Sequence, residues 1–234
     1  MPAAARALAL LNRMFARHVG GTQRPPFFDI DRTYPALRVL DQHYAAIREE
    51  LLVVLQQPAR IPRYHEISKA ETYISGTVDS DRSWRVFMLA HVVGGIAVNQ
   101  ARCPRTSALL DQIPGLLQAF FSILDPGKSI PAHDGPYLGY LRYHLALSVP
   151  TVAPPSMRVK DQIHTWREGE SILFDDSWNH EVYNRSPEPR VVLIVDVLRP
   201  MAWPFHAVNW LVTRVLARFS EEAQQIRANV NRYA

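Results

Sequence analysis

"SILFDDSWNHEVYNRSPEPRVVLIVDV" runs from Ser171 to Val197, and its reading decides the fold. A short apolar run, Ser171 to Phe174, ends in two adjacent acids, Asp175 and Asp176. His180 follows, and ten residues later Arg190 opens a second apolar run. Side chains alternate across a strand. In "RVVLIVDV" this puts Val191, Leu193, Val195 and Val197 on one face and Arg190, Val192, Ile194 and Asp196 on the other. The same asymmetry holds upstream. In "YLRYHLALSV" (140–149), Leu141, Tyr143, Leu145, Leu147 and Val149 share a face opposite Arg142 and His144. In "AFFSIL" (119–124), Ser122 shares a face with Phe120 and Leu124. Each strand thus has one apolar face and one face with a few isolated polar groups. A solvent-covered sheet carries more polar residues on its outer face, so the pattern points to a lined cavity. The expected fold is mainly β with flanking helices: a double-stranded β-helix, or jelly-roll (cupin-like) barrel.

Working outward, short apolar runs separated by Pro, Gly, Asp and Ser clusters continue from about Ile61 to Pro200, the pattern of many strands with turns. Within it, "TSALLDQIPG" predicts a short helix capped by Thr106 or Ser107. Before it, residues 34–57 read as helical, with Leu37, Leu40, Ile47 and Leu51 as apolar positions. "PAAARALALLNRMFARHV" is a further helix with Leu8, Leu11 and Phe15 at helical spacing, broken by "GGTQRPP". "FHAVNWLVTRVLARFSEEAQQIRANV" predicts one closing helix. The expected organisation is an N-terminal helical region (1–58), a barrel (59–200) and a C-terminal amphipathic helix (201–234).

The 234 residues are 47% apolar and 21% charged, the composition of a soluble globular protein. The single cysteine, Cys103, excludes an internal disulfide framework and fits a reducing compartment, and there is no CxxC for a thiolate zinc site. No apolar stretch approaches the roughly 20 residues that span a bilayer, and the N-terminus does not read as a signal peptide. A cytoplasmic location is expected. The net charge of +4 is mild, but residues 1–28 carry Arg6, Arg13, Arg17 and Arg24 with no acid, and residues 199–220 carry Arg199, Arg214 and Arg218 with none.

Two histidines stand near strand ends, His133 in "IPAHDGPYLG" and His180 after "SILF". On different strands at a barrel mouth they suit Fe, Cu, Ni or Zn. A carboxylate two residues after the first His would complete a common iron site, but position 135 is Gly, and Asp134 would point to the opposite face. From the residues alone, a two-His metal site and plain hydrogen-bonding loop histidines both stand.

"HDGPYLGYLRYHLAL" (133–147), "ILFDDSWNHEV" (172–182) and "RVVLIVDVLRP" (190–200), in that order, resemble the aspartyl/asparaginyl β-hydroxylase family of Fe(II)/2-oxoglutarate dioxygenases over about residues 61–200. The H–x8–R–x–H spacing, the DDS–x2–HEV block and the Arg ten residues after its His carry the resemblance. That family binds iron with two His and no protein carboxylate, so Gly135 agrees with it. The resemblance implies His133 and His180 as iron ligands, and Arg190 with Ser122 holding the distal carboxylate of 2-oxoglutarate. It places Arg142 and His144 near the chelating end of that cosubstrate and Trp84 in its pocket. It also implies coupled use of O2 and 2-oxoglutarate, giving succinate, CO2 and a hydroxylated C–H. Asp176 is the candidate catalytic carboxylate, bonded to a metal-bound water. Asp175 is expected to cap a turn, and Asp196 to be the ion-pair partner of Arg190.

"PGKSIPAHDGPYLGYLRYHL" (126–145) and "RPMAWPFHAVNWL" (199–211) resemble the bacterial lipid A 2-hydroxylase-like branch, which implies a lipid acyl substrate. A β-hydroxylase of aspartyl or asparaginyl residues, or of a free or carrier-bound amino acid, is the alternative, as is a non-catalytic cupin-like module that binds a small acid. In the closing helix Val208, Leu211, Val212, Val215, Leu216 and Phe219 form an apolar stripe beside Trp203, Phe205 and Trp210. Both terminal helices read either as peripheral membrane contacts or as helices packed on the barrel. Nucleic-acid binding is not expected, because the basic residues form no single interleaved patch.

Overall fold

The computed structural model describes residues 3–92, 94–215, 217, 220–230 and 232–233. Helices α1 (Ala3–His18), α2 (Ile30–Thr33), α3 (Arg38–Gln42) and α4 (Tyr44–Leu55) precede the barrel, with strand β1 (Phe27–Phe28) between the first two. Short helices α5 (Tyr64–Ile67) and α6 (Thr72–Gly76) lead into β2 (Trp84–His91) and β3 (Gly94–Gly95). Helices α7 (Ala97–Arg102) and α8 (Pro104–Leu110) follow, then β4 (Leu116–Leu124), β5 (Ile130–His133), β6 (Tyr140–Ser148) and β7 (Ser156–Val159). The last strands are β8 (Gln162–Thr165), β9 (Ser171–Phe174), β10 (His180–Tyr183) and β11 (Arg190–Leu198), and α9 (Phe205–Arg214) and α10 (Glu221–Val230) close the chain.

The strands form two antiparallel sheets, one of seven in the order β1-β9-β6-β11-β4-β2-β3 and one of four in the order β5-β10-β7-β8. This is the cupin-like architecture read from the opening stretch. β11 stands at the centre of the large sheet with all nine residues buried, which its nearly unbroken apolar run requires. Its two faces enter different cores. Val191, Leu193, Val195 and Val197 pack with Leu141, Tyr143 and Leu145 beneath the helical layer, which contributes Leu37, Leu40, Ile47 and Leu51, each fully buried. Val192 and Ile194 pack with Trp84, Phe120 and Leu124 against Met157, Val159 and Val182 of the small sheet. Val149 departs from the expected face: it lies past the end of β6 and joins the inner cluster.

Two helix expectations need correction. α8 starts at Pro104, with Cys103 at its cap position, so neither Thr106 nor Ser107 caps it. The carboxylate of Glu50 on α4 caps it instead, accepting from the N–H groups of Arg105 and Thr106 at 2.8 Å each. The closing helix is two helices, because Ser220 starts the second by accepting from the N–H of Ala223 at 3.2 Å, with acidic Glu221 in the first turn. Of the expected stripe, Val208 and Val212 pack beside α1 and Leu211 is exposed, whereas Leu216 and Phe219, like the basic residue Arg218, lie outside the described residues. No helix among the described residues is long and apolar enough to cross a membrane.

Candidate active site

Strand register brings the two histidines face to face. His133 closes β5 and His180 opens β10; they pair across the strands, with ring centroids 4.2 Å apart. In each ring Nδ1 lies 2.8 Å from a carbonyl two residues earlier, that of Pro131 or of Trp178. A carbonyl can only accept, so each Nδ1 carries a proton. Burial, reinforced by His180, pushes His133 down to about 4, leaving a neutral ring. Two imidazoles whose Nδ1 atoms are committed to carbonyls leave their Nε2 atoms to face a divalent transition metal such as Fe(II). Among the described residues no group of three or more His, Cys, Asp or Glu has metal-binding geometry, so the pair stands without a third protein donor.

Gly135 shows why no carboxylate follows His133 at that spacing. A Cβ there would stand 2.1 Å from Oδ2 of Asp176 and 2.6 Å from its backbone oxygen, and the Gly135 N–H donates to that same oxygen at 3.0 Å. Asp176 fills the room instead, its Oδ1 3.4 Å from Nε2 of His180.

Asp176 is held from behind. It accepts from the Tyr140 hydroxyl and from Nη1 of Arg142 at 2.5 Å. Nε and Nη2 of Arg142 reach Asp196 at 2.7 and 2.8 Å. Asp196 is therefore not the partner of Arg190. It faces Arg142 in register across β6 and β11, whereas Arg190 stands six residues away on the same strand, roughly 20 Å along it. Burial opposes ionisation of both carboxyls. Arg142 and His180 outweigh it at Asp176, whose pKa falls below the usual carboxylate range, while at Asp196 burial wins and the pKa rises.

Arg190 occupies the far end of the inner face, in one rank with Leu124 and Trp84 across three strands. It is 1% exposed and has no carboxylate partner among the described residues. Its guanidinium stacks 4.2 Å from the Trp166 ring, and Nη1 reaches Ser122 Oγ only at 3.4 Å. Nε has no partner. Trp84 Nε1 donates to the same Ser122 oxygen at 2.9 Å. Burial alone pushes Arg190 down to about 9. Between this end and the histidines lies His144, buried, with neither ring nitrogen hydrogen-bonded and its ring near Trp166 and Phe174. A buried unpaired cation and a row of unsatisfied polar atoms are costly unless a polar ligand meets them.

Asp175 caps its turn through the Ser177 N–H at 3.1 Å and also pairs with two buried cations, Arg24 and Arg199, at 2.7 Å each. Sequence reasoning missed these partners, as well as Tyr140 and Trp166. Arg199 carried a signal, since it continues the outward-facing parity of β11 as a charge. Trp166 carried none, because it sits in a connection with no periodicity. A cavity of about 760 Å³ lined by Arg82, Ala132, Glu181, Tyr183 and Arg185 runs along the same two strands but includes neither histidine.

A β-barrel with two metal-competent imidazoles at one end of its inner face and an unpaired arginine at the other is matched by sequence to one class. Residues 41–200 match the sequence profile of the aspartyl/asparaginyl beta-hydroxylase family, and the chain belongs to it. Among its relatives, the ornithine lipid ester-linked acyl 2-hydroxylase of Rhizobium tropici is 40% identical over 187 residues, covering 80% of this chain and 65% of that protein. The human aspartyl/asparaginyl beta-hydroxylase is 36% identical over 106 residues, 43% of this chain and 14% of that one. The chain thus spans less than two thirds of either relative. Among solved structures, the Cupin_2 domain of an XRE-family transcriptional regulator from Enterobacter cloacae is similar over 36% of this chain and 82% of that one, at 17% identity and a TM-score of 0.31.

Proposed function

We propose that the protein is an Fe(II)- and 2-oxoglutarate-dependent hydroxylase that uses O2 to place a hydroxyl on a lipid acyl chain. The observation that carries the cosubstrate reading is the buried guanidinium of Arg190, which meets no protein carboxylate among the described residues and stands on the sheet opposite the one that bears His133 and His180. The acyl reading rests on the similarity to the Rhizobium acyl 2-hydroxylase, which runs over 187 residues against 106 for the human protein.

Nε2 of His133 and of His180 would hold the metal. Bound Fe(II) supplies the redox chemistry that couples O2 and 2-oxoglutarate to oxidation of a C–H bond. The balance is C–H plus O2 plus 2-oxoglutarate to C–OH plus succinate plus CO2. Arg190 offers its fork to the distal carboxylate, and Ser122, its oxygen fixed by Trp84, adds a hydroxyl donor. His144 stands between that anchor and the metal, where an unsatisfied ring can donate to the cosubstrate. Arg142 and Tyr140 fix Asp176 beside His180, where its carboxylate would accept a hydrogen bond from a water at the metal position. The barrel, residues 59–200, walls this face from solvent, and the protein meets its lipid peripherally at a membrane surface.

Anaerobic titration with Fe(II) and 2-oxoglutarate, watching the visible charge-transfer band of the chelate, tests the cofactor. Succinate release with gain of one oxygen by an added acyl lipid, read by mass spectrometry, tests the substrate. The band and turnover are expected to vanish in His133→Ala and His180→Ala. A folded wild-type protein without the band would sink the oxygenase reading, and a band without lipid oxidation would sink the acyl one.

A further inference from the structure

We propose that the outward faces of α1 and α9 form one docking surface for an anionic lipid bilayer. This deepens the acyl-lipid reading, on which it rests for its biological sense. α1 turns Leu8, Leu11, Met14 and Phe15 inward against Tyr137 and Tyr140. That leaves Arg6, Leu10, Arg13 and Arg17 outward, a spacing of four, three and four residues that keeps them on one helical face. α9 buries Asn209 and Thr213 on one side. Its other side, with the turn before it, exposes Trp203 (82%), Trp210 (50%) and Leu211 (48%). α1 and α9 pack side by side through Leu8, Leu11 and Met14 against Phe205, Val208 and Val212, and the outward face of α1 borders a groove of about 590 Å³ lined by Leu10, Arg13, Met14, Arg17, His18 and, from α9, Phe205. His18 stacks on Phe205 at 4.1 Å and closes the seam.

Charge and chemistry select the occupant. Residues 1–28 and 199–220 contain no Asp or Glu, so the surface is cationic without relief from its own segments. A second copy seated here by a twofold axis would set these arginines against one another. An anionic bilayer satisfies both components: guanidinium groups meet headgroup phosphates, and tryptophan rings settle at the interface depth. The surface is also wired to the site. Asn12 of α1 donates to Pro136 O at 2.8 Å and accepts from the Leu138 N–H at 3.0 Å. Asn209 of α9 donates to Gly139 O at 2.7 Å and accepts from the Tyr137 hydroxyl. Both helices therefore grip residues 136–139, the link between His133 and the strand of Tyr140 and Arg142. A docked protein holds that link, and the site next to it, against the source of its lipid.

The test is co-sedimentation of the full chain with phosphatidylcholine vesicles, with and without phosphatidylglycerol. Binding is expected only with phosphatidylglycerol and weakens as salt is raised. Arg13→Ala with Arg17→Ala lowers the partition coefficient on the order of 30-fold, from about 1 kcal/mol per arginine near the surface. Trp203→Ser with Trp210→Ser lowers it as well. All four positions are exposed, so circular dichroism should show unchanged folding. His133→Ala should bind like wild type, which separates docking from turnover: lipid oxidation in detergent micelles without vesicle binding would overturn the surface and leave the proposed function intact. Equal binding to phosphatidylcholine alone, binding unmoved by either double variant, or a dimer broken by the same substitutions would each overturn it too.

Discussion

Replacing Arg190 by Met should make the metal- and cosubstrate-free protein more stable while destroying its grip on 2-oxoglutarate. The wild-type guanidinium is 1% exposed and faces no carboxylate among the described residues, and burial pushes it down to about 9. At 1.36 kcal/mol per pH unit, keeping the cation there costs on the order of 5 kcal/mol in the empty protein. Methionine is close to the arginine stem in volume, and it packs against Trp166 without a charge to desolvate. Part of the cost is recovered by relaxation, so a gain of about 1–3 kcal/mol in unfolding free energy is expected. The cosubstrate then loses its buried partner. Removing one side of such a pair costs about 2–5 kcal/mol, a fall in affinity of at least roughly 30-fold. Urea unfolding of the metal-free protein gives the first quantity. Titration of 2-oxoglutarate into Mn(II)-loaded protein gives the second. A destabilised Arg190→Met protein, or one that keeps wild-type affinity for 2-oxoglutarate, would show that Arg190 is a structural cation and refute the assignment.

Gly135→Ala should destabilise by about 1–3 kcal/mol and loosen the site, since its Cβ meets the backbone of Asp176 as well as the carboxylate; chemical denaturation and Fe(II) affinity read the two effects. Asp175→Asn leaves Arg24 and Arg199 buried with a neutral partner, so a loss of about 3–5 kcal/mol is expected, visible as a lower melting temperature. In the metal-free protein, His133 has a folded pKa of about 4 against 6.5 when unfolded, so the unfolded chain takes up the proton first as pH falls. Its contribution is complete above about pH 6.5 and is lost progressively toward pH 4, at most about 3 kcal/mol. Unfolding across that window, compared with His133→Asn, should show the difference shrinking as pH drops.

Which face of each strand looks inward was legible in the chain itself, because alternation is a local property of extended backbone. That parity alone separated Val191, Leu193, Val195 and Val197 from Arg190, Val192 and Ile194, and the two cores divide along the same line. The helices over residues 34–57 were equally legible from their apolar spacing, and motif order supplied the family. Partner choice was not legible. Asp196 pairs with Arg142 because strand register sets them opposite, and register depends on contacts between segments about fifty residues apart. Trp166 reaches Arg190, and Arg24 and Arg199 reach Asp175, only through the folding of one sheet over the other and of the N-terminal segment against both. The split of the closing helix turned on a cap at Ser220, which competes locally with an amphipathic period that would otherwise run through it. The sequence by itself determined the alternation, the apolar faces and the residue types present; the tertiary structure decided which charges meet and which, like Arg190, face no carboxylate among the described residues, because those outcomes depend on distances that no local pattern encodes.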